Sequence, residues 1–316
     1  MLDETVLPWN IRYLEVKNSQ EAVSILKDMK TRAFGQVLLY YYYVLFEIQK
    51  LRNGDILDRI REITEAFSQA RPTFAFWSFY GQIEGWWNEE SDLLRRKEYL
   101  RGKILSYLQE IKHLRLKRAR FAAIELPQGD ILTHCNVSGE MVYIAEIARK
   151  ELNKKLSFWI TETRPYLQGA RLTAWELDKS GTRVVVLPDA LSTRIIREKR
   201  VKAAIVGSDR CTRNGDIVNK IGTYQIALAC YYFKVPFYVL VQPPTADITE
   251  DIQIEYRDPK QILTFQGESI TQPGVEALYP SFDVTPADMV TKLIYFDGIY
   301  TPEEFRMAFS KSQTQK

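Results

Sequence analysis

The second half of this chain alternates short apolar runs with helical stretches, and that alternation limits the fold more than any other feature. The runs are DILTHC, LSFWITE, RVVVLPD, AAIVGSD and FYVLVQ, all between Asp130 and Gln242. Between them, stretches near Glu140–Leu152, Gly169–Lys179, Ala190–Lys199 and Asn219–Phe233 read as helices. Neighbouring strands that run the same way need a crossover, and a helix supplies one. Runs as continuous as VVVL and AAIV fit strands covered on both faces. The expected architecture here is a Rossmann-like α/β domain with a mainly parallel, doubly wound sheet.

From about Ser19 to Ala123 the rhythm is helical instead. NSQEAVSILKDMK offers Asn18 and Ser19 as caps, and its apolar positions recur at three and four. AFGQVLLYYYYVLFEIQKL is apolar on most sides and reads as a buried helix. Tyr40 to Tyr43 would face all round it, toward the core or a subunit interface. DILDRIREITEAFSQA, RPTFAFWSFYGQIEGWW and a long charged helix from about Glu89 to Arg120 follow. ELPQGD (Glu125 to Asp130) holds Pro and Gly and reads as a linker. The sequence thus predicts a mainly helical N-terminal domain over residues 1–125 and the α/β domain over residues 126–316.

Composition narrows the partners. A chain of 316 residues that is 46% hydrophobic can bury a sizeable core. Its net charge of +3 is balanced, whereas nucleic-acid binders show a concentrated basic face, so no nucleic-acid partner is expected. The one basic run, KHLRLKRAR (Lys112 to Arg120), would spread its charges around a helix and reads as a solvated face. No window has the roughly 18 apolar residues of a membrane span, and MLDETVLPWN lacks the form of a signal peptide. The 3 cysteines are odd in number and scattered, which fits a reducing cytoplasmic compartment. With no Cys-x-x-Cys pair and no His–His helical spacing, no metal site is expected.

In open α/β sheets, ligands sit outside the carboxyl ends of the strands. The runs end at Cys135-Asn136, Glu162-Thr163-Arg164, Asp189, Ser208-Asp209-Arg210 and Gln242. Polar or reactive groups at successive ends point to a functional cleft. Asp209 lies in GSDRCTRNGDIVNKIGTY, where Asn214-Gly215-Asp216 marks a turn and Asn219-Lys220 would open a helix. A helix start carrying a lysine suits a phosphate. Each residue taken alone has a plainer reading. Cys135 would be a core thiol, Asp209 a turn residue, Lys220 an ordinary helix lysine and Gln168 a helix cap. His134 reads as a packed or hydrogen-bonded neighbour, and Cys211 and Cys230 as structural thiols.

Together, ILTHCN, ETRPYLQGARLTAWEL, GSDRCTRNGDIVNKIGTY, PFYVLVQPPTADIT, IEYRDP and PGVEALYPSFDVTPADMV resemble the 5-methylthioribose-1-phosphate isomerase family. That family shares a superfamily with ribose-1,5-bisphosphate isomerase and the α, β and δ subunits of initiation factor 2B. The resemblance covers the chain from about Asp130 onward and reaches TRAFGQ and ARPTFAF in the first half. It implies an aldose–ketose isomerisation in methionine salvage, with a sugar phosphate as partner, no cofactor and a homodimer. It also implies Cys135 and Asp209 as the catalytic pair. Arg32, Ala33, Arg71, Gln168, Asn219 and Lys220 would contact the substrate and its phosphate.

Two departures stand out. The family's Arg-Gly-Ala-Pro stretch reads Arg32-Ala33-Phe34-Gly35 here, and CNVSGEMVYIAEIARKE runs almost directly into a helix where the family has a Gly- and Thr-rich loop. Isomerases of 5-deoxyribose 1-phosphate or ribose 1,5-bisphosphate, and a non-catalytic regulatory subunit, are the competing readings. A phosphate on the anomeric oxygen prevents spontaneous ring opening, so the chemistry needs an acid at the ring oxygen. A proton or hydride must then pass from C2 to C1. Asp209 would be the acid if desolvation keeps it protonated. Cys135 would be the base, its thiolate favoured by a helix beginning at Asn136 or Ser138.

Overall fold

The computed structural model describes residues 1–310. The chain divides into two compact units, Met1–Arg115 and Leu116–Lys316.

The first unit is helical. Helix α1 (Ser19–Lys27) begins under the side chain of Asn18, which accepts the N–H of Glu21. α2 (Phe34–Lys50), α3 (Ile56–Ala70) and α4 (Phe76–Glu89) follow. As the all-round apolarity of α2 predicts, Tyr40, Tyr41 and Tyr43 are buried, while Tyr42 is 52% exposed. The Tyr40 ring packs against Phe67, Phe76 and Phe79. Its hydroxyl lies 2.7 Å from Thr64 Oγ1. Thr64 donates its own proton to Ile60 O, so Tyr40 is the donor in that pair. Polar tips are thereby satisfied inside an aromatic core whose rings each contribute about 1.5–3 kcal/mol by burial.

The long helix α5 (Arg96–Glu125) contains the unit boundary. The solvated-face reading of its basic run is corrected here, because Arg115 and Arg118 are buried. Arg115 lies over the Phe34 ring. Arg118 makes a two-pronged ion pair with Glu140 at 2.7 and 2.8 Å and donates to Val241 O. A partner 22 residues away, invisible in the charge pattern, decides the burial of Arg118.

In the second unit come β1 (Gly129–Thr133), α6 (Glu140–Glu151) and β2 (Leu156–Thr161). A π-helical turn (Gly169–Thr173) leads into α7 (Ala174–Lys179), and β3 (Val184–Leu187) and α8 (Ser192–Arg197) follow. Next are β4 (Ala203–Gly207), β5 (Arg210–Cys211), β6 (Ile217–Lys220), α9 (Thr223–Phe233) and β7 (Phe237–Leu240). The chain continues through α10 (Lys260–Leu263), the small hairpin β8 (Thr264–Phe265) and β9 (Glu268–Ser269), and β10 (Phe282–Thr285). It ends with β11 (Lys292–Ile294), β12 (Ile299–Tyr300) and α11 (Pro302–Phe309).

Seven strands form the central sheet in the order β12-β11-β7-β4-β1-β2-β3. All neighbours are parallel except β11 and β12. The expected mainly parallel α/β architecture is what the chain adopts. Alternation along the strands feeds two apolar layers. Leu132, Ala204, Val206 and Val239 face one core, and Ile131, Phe158, Ile205 and Leu240 face the other. From β1 the chain winds outward to β2 and β3, and from β4 it winds the other way to β7 and β11. The switch point therefore lies between β1 and β4.

A second, antiparallel sheet has the order β10-β6-β5. It corrects the helix expected to begin at Asn219. The Asn214-Gly215-Asp216 turn folds β5 onto β6, and β6 pairs along its length with β10, Lys220 lying opposite Phe282 and Asn219 opposite Asp283. Helix α9 starts only after Gly222, whose φ of +103° suits glycine.

Candidate active site

Cys135 follows β1 at the switch point, and Asp209 follows β4, the strand beside it, with Thr133 in register with Ile205. The Cys135 backbone has a φ of +65°, in the left-handed region that side chains disfavour. Two threonines hold it there. Thr163 Oγ1 accepts the Cys135 N–H at 3.0 Å, and the Thr173 hydroxyl donates to Cys135 O at 2.7 Å. Thr163 is itself left-handed, at +65°, and its N–H and that of Arg164 both donate to the Asp189 carboxylate, at 2.7 and 2.8 Å. Polar groups after β2 and β3, with Thr173 from the π-helical turn, thus fix the Cys135 backbone. Strain of about 1–3 kcal/mol per residue persists only where surroundings over-determine it, and functional sites are where it clusters.

The segment after Cys135 is a turn, not a helix. Asn136 Oδ1 accepts the Ser138 N–H, while its Nδ2 donates to Thr173 Oγ1 and Glu176. Gly139 also donates to Glu176, at 3.2 Å. α6 begins at Glu140, so its dipole acts past this turn and not at Asn136 or Ser138 as the sequence predicts.

Asp209 is half-buried and lies where the chain crosses from the large sheet to the small one, its N–H bonded to Val218 O at 2.9 Å. Asn219 and Lys220 are both buried on β6. Adjacent strand residues point to opposite faces, and these two diverge. Asn219 Nδ2 donates to Thr223 Oγ1 at 2.9 Å. The Lys220 ammonium sits 4.5 Å from the Phe282 ring centre and 6.0 Å from that of Tyr166.

Sequence reading missed Asp283. Its Oδ2 accepts the Gly222 N–H at 2.7 Å, so the chain's own carboxylate holds the start of α9 where a phosphate was expected. Burial pushes this carboxyl up to about 6, against the pull of the Gly222 and Tyr224 N–H groups and of Lys220. Its only sequence signal is an acid inside the apolar strand FDVT. Tyr279 was missed as well. It is buried, packs 6.4 Å from the Tyr166 ring and lies near Cys135, and burial drives its phenol up.

Gln168 is buried and opens the π-helical turn without capping it. Its Oε1 has no hydrogen-bond partner among the described residues. Gly169 beside it packs so tightly that a Cβ would come within 1.9 Å of Thr161 O. In the first unit, Arg32 and Arg71 are buried and Ala33 precedes α2 with a φ of +43°. Arg71 ends α3, and its Nη1 lies 3.1 Å from Met29 Sδ, on the segment leading to Arg32.

Cys211 and Cys230 are unpaired and buried, which drives both thiols up, Cys230 to about 12. They are structural. Among the described residues no three His, Cys, Asp or Glu side chains group to hold a metal ion. No described helix is long and apolar enough to cross a membrane.

Residues 38–302 match the model of the initiation factor 2 subunit family. A methylthioribose-1-phosphate isomerase of Thermotoga maritima is 34% identical over 96% of this chain and 92% of its own. The crystal structure of the 5-methylthioribose 1-phosphate isomerase from Pyrococcus horikoshii superposes with a TM-score of 0.81 at 28% identity, covering 97% of this chain and 90% of that one. The translation initiation factor eIF-2B delta subunit from A. fulgidus shares the fold, with a TM-score of 0.76 at 24% identity over 96% and 93% of the two chains. The chain belongs to the initiation factor 2 subunit family and stands, with the isomerases of that family, as an enzyme.

Proposed function

We propose that this enzyme converts 5-methylthioribose 1-phosphate to 5-methylthioribulose 1-phosphate, with Asp209 as acid and Cys135 as base. The observation that carries the reading is the pair itself, at the carboxyl ends of the two strands that flank the switch point. Relatives that carry the isomerase name over 96% of this chain support the substrate. Asp209 protonates the ring oxygen as the C1–O4 bond breaks. The Cys135 thiolate removes the C2 proton to give the enol, and the cysteine returns a proton to C1 while the C2 hydroxyl gives its proton back to Asp209, leaving the C2 ketone. Lys220, Asn219, Gln168, Arg32, Ala33 and Arg71 hold the sugar and its phosphate, which makes both steps intramolecular. Gln168 has a buried oxygen ready for a sugar hydroxyl. The same reading takes residues 1–125 and 126–316 as two domains of a cytoplasmic homodimer. Three cysteines, none of them in a disulfide, are in keeping with a reducing compartment.

Purified enzyme assayed with methylthioribose, deoxyribose and ribose phosphates side by side tests this. Cys135→Ser and Asp209→Asn should each lower kcat by about 10²–10⁴-fold with the fold retained. Wild-type turnover in either variant would remove that residue from the mechanism. Solvent deuterium at C1 of the product supports proton transfer. Turnover of none of the three sugars would favour a non-catalytic subunit.

A further inference from the structure

Cys135 and the Asn219–Lys220 pair stand on different sheets. Cys135 follows a strand of the seven-stranded sheet, and Lys220 ends a strand of the three-stranded one. The side chain before Cys135 ties the two at this end. His134 is buried, with Nε2 2.9 Å from Ile221 O and Nδ1 2.6 Å from Thr161 Oγ1. Ile221 O can only accept, so Nε2 carries the proton. Burial draws the ring's pKa down to about 4 and keeps it neutral. Nδ1 is then an acceptor, and the Thr161 hydroxyl donates to it. The ring also packs on the turn itself, since a Cβ on Gly222 would lie 3.2 Å from His134 Cε1.

The structure assigns to His134 the part of a positioning residue, a strut that joins the two sheets and fixes the Cys135 thiol relative to Lys220. This assignment rests on the isomerase reading for its effect on turnover. It does not make His134 a catalyst, because both ring nitrogens are engaged by protein groups.

Two amides separate the ring's two bonds. Glutamine can place its amide N–H near the position of Nε2 and keep the bond to Ile221 O. Asparagine can place its oxygen near Nδ1 and keep only the bond to Thr161. His134→Asn should therefore lower kcat by about 10–100-fold, the size expected of an ångström-scale misplacement, with KM within about threefold of wild type. His134→Gln should recover both constants to within about threefold, and the two variants should melt alike. Equal loss in both, or full activity in the asparagine variant, would overturn the assignment. A second readout needs no turnover, namely the rate of Cys135 alkylation by iodoacetamide with and without inorganic phosphate. Phosphate should slow it in the wild type and in His134→Gln but not in His134→Asn. Equal behaviour of the three proteins overturns the strut even if no sugar phosphate is turned over, a result that by itself would count only against the isomerase reading.

Discussion

The two edges of the central sheet use the same unusual backbone for different ends. At the amino edge, left-handed residues stop helices. Asn153, Lys199 and Lys234 follow α6, α8 and α9 at exposed positions, with φ of 51°, 52° and 56°. Those are ordinary helix stops. At the carboxyl edge, Cys135 and Thr163 adopt the same conformation while buried, and side chains from other elements hold them. Ion pairs divide the same way. Arg183 and Asp130 meet at 3.4 Å in the open at the amino edge. Arg118 and Glu140 pair at 2.7 Å, fully buried, at the start of α6 behind Cys135. One edge ends helices, and the other is built to hold particular groups still.

The contrast can be broken most directly at the ion pairs. Arg118→Met removes the ion-pair partner of a buried carboxylate and should lower stability by about 3–5 kcal/mol in denaturant melts, most of it recovered by adding Glu140→Leu. Arg183→Met should lose less than about 1 kcal/mol, as exposed pairs do. Similar losses at both would end the distinction.

Acidity sharpens it next. Asp283 has its carboxyl raised from 3.8 to about 6 in the folded chain. In that window the folded state binds more protons than the unfolded one, so stability falls as pH rises. The stabilisation is full below about pH 4 and is lost by about pH 6, a slope worth up to about 3 kcal/mol. Asp283→Asn should flatten that part of the pH–stability curve, and an unchanged slope would assign it to another group.

The smallest effects test the backbone itself. Lys234→Gly should stabilise by up to about 1 kcal/mol and leave turnover untouched. Cys135→Gly should shift stability by no more than about 1 kcal/mol while turnover disappears. A glycine at 135 that keeps activity would show that the conformation matters there and the thiol does not.

Much of this was legible beforehand. The run AAIV announces a strand buried on both faces, whereas VVVL corrects that expectation, since it forms β3 at the edge of the sheet with Val186 45% exposed. Reading the carboxyl ends of the runs finds Cys135, Thr163, Asp189 and Asp209 without a structure. What could not be read depends on distant partners. Lys220 is a strand residue because Ile217–Lys220 pairs with Phe282–Thr285, more than 60 residues on. The local signal, a turn followed by Asn and Lys, favours a helix start equally well. Arg118 is buried because Glu140 meets it, and a charge pattern lacks that information. His134, Asp283 and Tyr279 owe their places to packing between elements, which no local spacing records.

The division of the site between two sheets has a consequence for descent. The thiol comes on one piece of backbone and the buried lysine on another, joined by a histidine. Under the proposed mechanism, a duplicated gene that exchanged Cys135 for an inert residue would lose its chemistry in one step, while the small sheet with Lys220 and its aromatic neighbours stayed whole. Turnover and anion recognition would then be separately heritable in this architecture, and a sensor could arise from a catalyst by subtraction.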